Sequence, residues 1–224
     1  MDVRDHFKNG ASSKSQMSRG NKKWMFVFLA VVLTAGYAQA QTKTSIGARA
    51  GLNLTNMYFK PKPQDVDAFQ MKPGFQIGVV SKRTDDDKFF LQAGVLIASQ
   101  GYKTETNHQL NLTYLQLIPI KGLYKIDIGA IALMPSVGGY MGLGLTGKYT
   151  DEDGLKKKMT FGVDEDSNLN ILDAGLGLGI GLLFNNIQVE LGYNLGLVNI
   201  ATTKGVKMRN KGLSLTATYY FFKK

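Results

Sequence analysis

Few residues in this 224-residue chain have the types or the spacing for chemistry. It has two histidines, His6 and His108, and no cysteine, which removes thiolate nucleophiles, disulfide frameworks and thiolate zinc sites. His108 lies between Asn107 and Gln109 in a segment that reads as a connection. Ser99 and Glu105 are near it in sequence, but nothing around them has the strand-to-helix turn that exposes a serine nucleophile. No set of residues satisfies the requirements of an active site, so no catalytic, cofactor-binding or metal-binding residue is assigned and no enzyme activity is expected. The run Asp85-Asp86-Asp87 has the charge to attract a cation. It lacks the alternating oxygen ligands and the glycine of a calcium loop, and reads as a solvated turn.

Three charged residues are different, because each interrupts a run of small or apolar ones: Arg49 in SIGARAGLN, Asp173 in ILDAGLGLG and Glu190 in IQVELGYN. What they face depends on the elements that carry them. Past Gln41 the chain alternates apolar with small or polar residues at a period of two, the period of strands. Ile46, Ala48, Ala50, Leu52 and Leu54 alternate with Ser45, Gly47, Arg49, Gly51 and Asn53; Ala174, Leu176, Leu178, Ile180 and Leu182 alternate with Asp173 and four glycines. Glycine at that density would not sustain a helix. Comparable two-faced segments are centred on Phe75 to Val79, Leu91 to Ile97, Val137 to Leu145, Ile187 to Leu197 and Leu213 to Phe221. An eighth runs from Leu112 to Tyr124, where Pro119 cannot donate to a ladder and a bulge near Ile118 and Pro119 is expected.

The connections alternate in length. Longer ones span Thr55 to Lys72, Tyr102 to Gln109, Lys148 to Asn168 and Ala201 to Lys211; short ones span Lys82 to Lys88, Lys125 to Gly129 and Asn185-Asn186. Asn-Asn suits the positive φ of a two-residue hairpin turn. The fold class is therefore all-β, an eight-stranded antiparallel up-and-down meander with its long loops at one end. The second face of the strands is mostly glycine, a poor exterior in water but suited to the crowded inside of an eight-stranded barrel whose aliphatic face meets lipid. About ten tilted residues cross a bilayer. Closure also leaves no unpaired edge in hydrocarbon. Tyr193, Tyr219 and Phe221 are expected in an interfacial aromatic girdle.

Residues 1 to 40 read as a cleaved signal peptide, with basic Arg19, Lys22 and Lys23, an apolar run from Trp24 to Ala35 and the small residues Ala38 and Ala40 before Gln41. The polar lead before it is long, and Met17 is an alternative start. Residues 41 to 224 then form one barrel domain. The formal charge of +10 includes six basic and two acidic residues before Gln41, so the remainder carries +6. Its cations are scattered over loops and ends with no basic face interleaved with aromatics, and no nucleic-acid partner is expected.

Inside such a barrel Arg49 needs compensation. Glu190 is its expected partner across the lumen, with Asp173 less favoured; the alternative is that Arg49 meets water and the hydroxyls of Ser214 and Thr216. In the external loop from Lys148 to Asn168, Lys156, Lys157 and Lys158 stand between two acidic blocks. They read either as a surface for a partner or for lipopolysaccharide phosphates, or as a solvated hairpin extension whose charges pair with one another.

Several stretches, IGARAGLNLTNM, LQAGVLIASQGYK, YLQLIPIKGLYK, MPSVGGYMG, the glycine alternation after Asp173, YNLGLVNI and LSLTATYYFF, resemble in that order the PorT-like outer-membrane β-barrel family. The resemblance spans about Ser45 to Phe222. It implies an eight-stranded barrel in the outer membrane of a Gram-negative cell, handled by the barrel insertion machinery. The founding member is associated with a secretion and gliding apparatus, a role that fold alone does not transfer. Ala93-Gly94 stands where the family often has Pro-Glu, Gln116 stands where glutamate is usual, and Phe222 is followed by Lys223 and Lys224. The function expected is a structural or interaction role in the cell envelope, within a possible envelope or secretion complex and without cofactors. The alternative is a narrow pore or solute-binding transport barrel, since a glycine-lined lumen leaves space.

Overall fold

The computed structural model describes residues 43–61, 69–105, 108–162, 167–203 and 205–223. The expected signal peptide, its cleavage before Gln41 and the alternative start at Met17 lie outside the described residues. Eight long strands form the wall: β1 (Lys43–Lys60), β2 (Lys72–Thr84), β3 (Phe89–Thr104), β4 (Gln109–Tyr124), β5 (Ile131–Thr150), β6 (Leu172–Phe184), β7 (Ile187–Gly196) and β8 (Lys207–Lys223). Each pairs antiparallel with its neighbours in sequence, and β1 also pairs with β8 over Ser45↔Lys223 to Lys60↔Lys207. The ring is closed, as the sequence pattern requires.

The alternation assigns the faces as expected. Leu52, Leu54, Ile77, Val79, Leu176, Leu178, Ile180, Val189, Leu191, Leu213 and Leu215 are exposed on the outside, while Arg49, Gln76, Gln92, Asp173, Gln188 and Glu190 are buried inside. An exterior belt of this aliphatic character matches lipid rather than water. Tyr219 and Phe221 are exposed close to the tight turns, joined there by Phe89, Tyr124 and Phe184, and Tyr193 is exposed nearer the opposite rim. Asn185 takes the positive φ of 51° that its two-residue turn demands.

The strands run further than the periodicity suggests. β3 continues to Thr104 and β4 begins at Gln109, so the connection expected over Tyr102 to Gln109 shrinks to residues 105–108. β5 starts at Ile131, paired with a short strand Ile126–Ile128 across a turn in which Gly129 has φ 63°. The bulge expected near Pro119 is present. The register against β3 jumps from Gly94↔Ile118 to Gln92↔Lys121, and against β5 from Leu117↔Met141 to Lys121↔Gly138.

The expectation of space in the lumen is met only in part: Gly138, Gly139, Gly177 and Gly192 line a small cavity, while elsewhere the space is taken up. Glycines do vacate volume, but neighbouring side chains occupy it: a Cβ on Gly179 would stand 2.7 Å from Ser136 Oγ, and one on Gly144 would collide with the Phe161 ring. Near the tight-turn end, buried Phe90, Leu123 and Met134 pack together with half-buried Leu183. Near the other end a larger cluster includes Met57, Tyr102, Leu110, Leu112, Tyr114, Tyr149 and Met208 from the wall, with Met159, Leu169, Ile200 and Ala201 from the connections. The segment read as a solvated loop thus sends apolar residues into the mouth, Phe161 meeting Tyr114 edge to face at 5.8 Å.

Candidate functional site in the lumen

Between the two apolar clusters lies a polar layer built from inward positions of β1, β2, β3, β4, β7 and β8. Arg49 does not make the ion pair expected with Glu190. Its Nε donates to Thr218 Oγ1 at 2.9 Å and its Nη2 to Gln92 Oε1 at 3.0 Å. Glu190 is paired instead with Lys121, Nζ to Oε1 at 2.5 Å. The cause is the proline bulge: two-residue alternation from Leu112 through Gln116 would put Lys121 outside, and the one extra residue of the bulge rotates it into the lumen. Lys121 is the site residue that sequence reading missed. Its signal was Pro119 itself, which announces a change of phase without giving its size.

Hydrogen bonds make the layer continuous. Gln92 Nε2 donates to Tyr220 OH at 2.9 Å, Tyr220 OH to Gln188 Oε1 at 3.1 Å, and Gln188 Nε2 to Glu190 Oε2 at 3.3 Å. From Thr218 through Arg49, Gln92, Tyr220, Gln188 and Glu190 to Lys121, every link but the last joins buried groups, and Lys121 is half-buried. Charged groups in a low-dielectric interior are tolerated when connected in this way. Lys82 was read as part of a turn, but the alternation of β2 carries it inward, where its Nζ lies 4.1 Å from the Tyr220 ring centre and 4.9 Å from that of Phe90.

Asp173 lies toward the outer mouth, away from Arg49. Its Oδ2 accepts from Asn210 Nδ2 at 2.9 Å and from Tyr140 OH at 3.4 Å, while Oδ1 is buried without a partner. Arg49, Lys121 and Glu190 line one cavity of about 40 Å³, room for about three waters.

The remaining candidates lie outside the lumen. Lys156, Lys157 and Lys158 form an exposed strand paired with the end of β5 through Thr150↔Lys156, Tyr149↔Lys157 and Lys148↔Lys158. His108 is not simply solvated. Its Nε2 is 2.9 Å from Glu152 Oε1 and its Nδ1 2.8 Å from Tyr149 OH, with the ring stacked on Tyr149. Ser99 and Glu105 do not join it in these contacts. Asp86 accepts from the backbone N–H groups of Lys88 and Phe89, and Asp87 pairs with Lys43, so the acidic run is tied up as a turn.

A closed eight-stranded ring with an aliphatic exterior, aromatic rims and a filled polar interior defines a transmembrane β-barrel. The chain belongs to the outer membrane protein beta-barrel domain family, whose model matches residues 37–202, and it is a small integral protein of the Gram-negative outer membrane with an envelope role. The match stops before β8, which nevertheless closes the ring. Among solved structures, the chain is similar to Neisserial surface protein A (16% identity, TM-score 0.49, covering 80% of this chain and 99% of that one). It is also similar to Ail, the attachment invasion locus protein of Yersinia pestis (15%, 0.42, 81% and 100%), and to a major outer membrane protein from Thermus thermophilus (18%, 0.40, 82% and 100%). Among curated protein sequences none matches significantly.

Proposed function

We propose that this barrel is a non-catalytic structural or interaction protein of the PorT-like type, inserted by the barrel insertion machinery and presenting its outer surface to lipopolysaccharide and to a partner in an envelope or secretion complex. The ordered run of strand motifs from IGARAGLNLTNM to LSLTATYYFF supports the PorT-like assignment. The observation that carries the functional reading is the filled lumen. Apolar clusters pack near both ends, Lys121 and Glu190 pair between them while Arg49 is bound by Thr218 and Gln92, and the cavity beside them is about 40 Å³. A lumen filled in this way among the described residues supports a function carried by the exterior and the rim. Purified protein in a planar bilayer is expected to show no steady channel; a reproducible conductance step would overturn this reading in favour of a pore. Crosslinking in intact cells, followed by identification of what is joined to the hairpin around Lys156, tests the partner.

A further inference from the structure

The registers at the outer end place many cations on the outside of the barrel. On β1 and β8, the exterior rows above Leu54↔Leu213 are Asn56↔Lys211, Tyr58↔Arg209 and Lys60↔Lys207. On β3, β4 and β5, the last paired apolar exterior row is Ile97↔Leu115↔Leu143, with exposed Leu145 in the bulge just above it. The next is Ser99↔Thr113↔Thr146, followed by Gly101↔Asn111↔Lys148↔Lys158 and Lys103↔Gln109↔Thr150↔Lys156. Alternation puts Lys157 on the opposite face of its strand, across from buried Tyr149. Seven lysines and one arginine (Lys60, Lys103, Lys148, Lys156, Lys158, Lys207, Arg209 and Lys211) therefore stand one to three rows above the apolar belt, on two sides of the barrel. Among the described residues, no Asp or Glu occupies an exterior strand position in these rows, and none of the eight cations forms an ion pair.

Two features show that this is not merely a solvated rim. Lys148 faces Lys158 directly, and Lys60 faces Lys207 directly. Like charges at opposed positions destabilise a sheet unless an anion lies between them. The opposite end of the barrel has the reverse arrangement, with Lys43 paired to Asp87 and Lys125 to Asp127. The acids of the described outer turns, exposed Glu105, Glu152 and Asp153 and half-buried Asp151, lie beyond the strand rows, and of these Glu152 is engaged by His108 and Asp151 caps the Leu155 N–H.

We infer that these eight residues form a collar that binds the phosphorylated headgroups of the outer-leaflet glycolipid, with the Lys148–Lys158 and Lys60–Lys207 pairs each gripping a phosphate. The inference rests on the membrane placement proposed above. It departs from the three-lysine reading by recruiting both sides of the barrel and by excluding Lys157.

The test uses the full mature chain in phosphatidylcholine vesicles doped with bisphosphorylated or dephosphorylated lipid A, extracted mildly and examined by native mass spectrometry for bound lipid. The wild type is expected to retain the bisphosphorylated form at least about tenfold better, and the K103Q/K148Q/K156Q/K158Q variant to lose about tenfold. K157Q is expected to lose less than about twofold. Equal retention of both lipids, a K157Q loss equal to the quadruple's, or displacement of the lipid by excess inorganic phosphate would each overturn the collar. Heat-modifiable migration reads barrel insertion separately, so a folded, inserted barrel with no lipid preference rejects the collar and leaves the membrane placement intact. Should the quadruple variant fail to fold, K148Q/K158Q separates the effects: relief of repulsion raises its melting temperature in neutral detergent while lipid A retention falls. A fall in both, or a change in neither, would show an ordinary surface.

Discussion

At the tight-turn end, Phe90, Leu123 and Met134 fill the lumen from the wall itself. At the outer end, four of the eleven buried residues of the seal arrive from outside the wall, with Met159, Leu169, Ile200 and Ala201 delivered by the connections after β5 and β7. The first seal is inseparable from the strands, since all of its residues lie within the wall, Phe90 and Leu123 between two paired strands and Met134 against Gly181. The second is held by packing and by a few bonds between loops, such as Asn170 N–H to Ile200 O at 2.9 Å and Thr202 Oγ1 to Ser167 O at 2.5 Å. Electrostatics divide the ends in a similar way: among the described residues Lys43 and Lys125 pair with aspartates at the turns, while the eight exterior cations of the outer rim form no ion pair. One end therefore fixes the fold, and the other is free to carry contacts without disturbing it.

That division is tested first at the polar layer between the seals. Glu190→Gln leaves Lys121 buried without its carboxylate and is expected to cost about 3 to 5 kcal/mol of barrel stability. In a Lys121→Met background the same change costs far less, because no charge is left stranded. Urea unfolding in detergent micelles measures both, and equal losses would mean that the pair does not support the layer. The next largest effect concerns the wall. Leu178, 60% exposed at the middle of β6, becomes a lipid-facing cation in Leu178→Arg, at about 2 to 4 kcal/mol near the bilayer midplane. Membrane yield and heat-modifiable migration are expected to fall, and unchanged values would remove this face from lipid.

A sharper comparison sets the seals against each other. Met134→Ala is expected to lower global stability by about 2 to 5 kcal/mol. Leu169→Ala removes a comparably buried group, but its loss appears mainly as local opening of the outer connections. Limited proteolysis of intact cells is expected to cut Leu169→Ala faster within residues 151–171, with a smaller shift in global unfolding. Equal global losses in the two variants would mean that the ends are one cooperative unit.

The smallest effect is a pH dependence at the tight turns. The backbone N–H groups of Phe89 and Lys88 hold the Asp86 carboxyl below its ordinary value of 3.8. A lowered native pKa stabilises the fold above the unfolded value, and that contribution is lost as pH falls from 3.8 through the native pKa. Wild type and Asp86→Asn are expected to differ slightly at neutral pH and to converge on acidification. A gap that widens in acid would reverse the sign.

Much of this was legible in the residues themselves. Period-two alternation placed all eight strands and put Arg49, Gln92, Asp173, Gln188 and Glu190 inside, because lipid outside and close packing inside leave each position little choice. Partner choice was not legible. Arg49 was matched to Glu190 because both are inward charges across a narrow lumen; a bulge at Pro119 was expected, but not that it would turn Lys121 inward to take that place. The outer seal was hidden for a different reason: Met159, Phe161 and Leu169 sit singly within a charged, aperiodic stretch, where no pattern distinguishes a buried apolar side chain from an exposed one. The lysine collar was also invisible, since Lys148 and Lys158 become neighbours only through a register.

The pairing of β1 with β8 also bears on how the barrel comes into being. Every other seam joins strands adjacent in sequence and can zip locally, whereas this one joins the first strand to the last, from Ser45↔Lys223 to Lys60↔Lys207. Non-local pairing of this kind is slow, because the whole intervening chain must be ordered before the seam returns any energy. Until β8 arrives, the exposed edges of the partly built sheet are templates for pairing with another chain, and hydrocarbon supplies no substitute partners. A chain truncated at residue 202 would retain seven strands and two such edges, and its expected fate is aggregation rather than a smaller barrel.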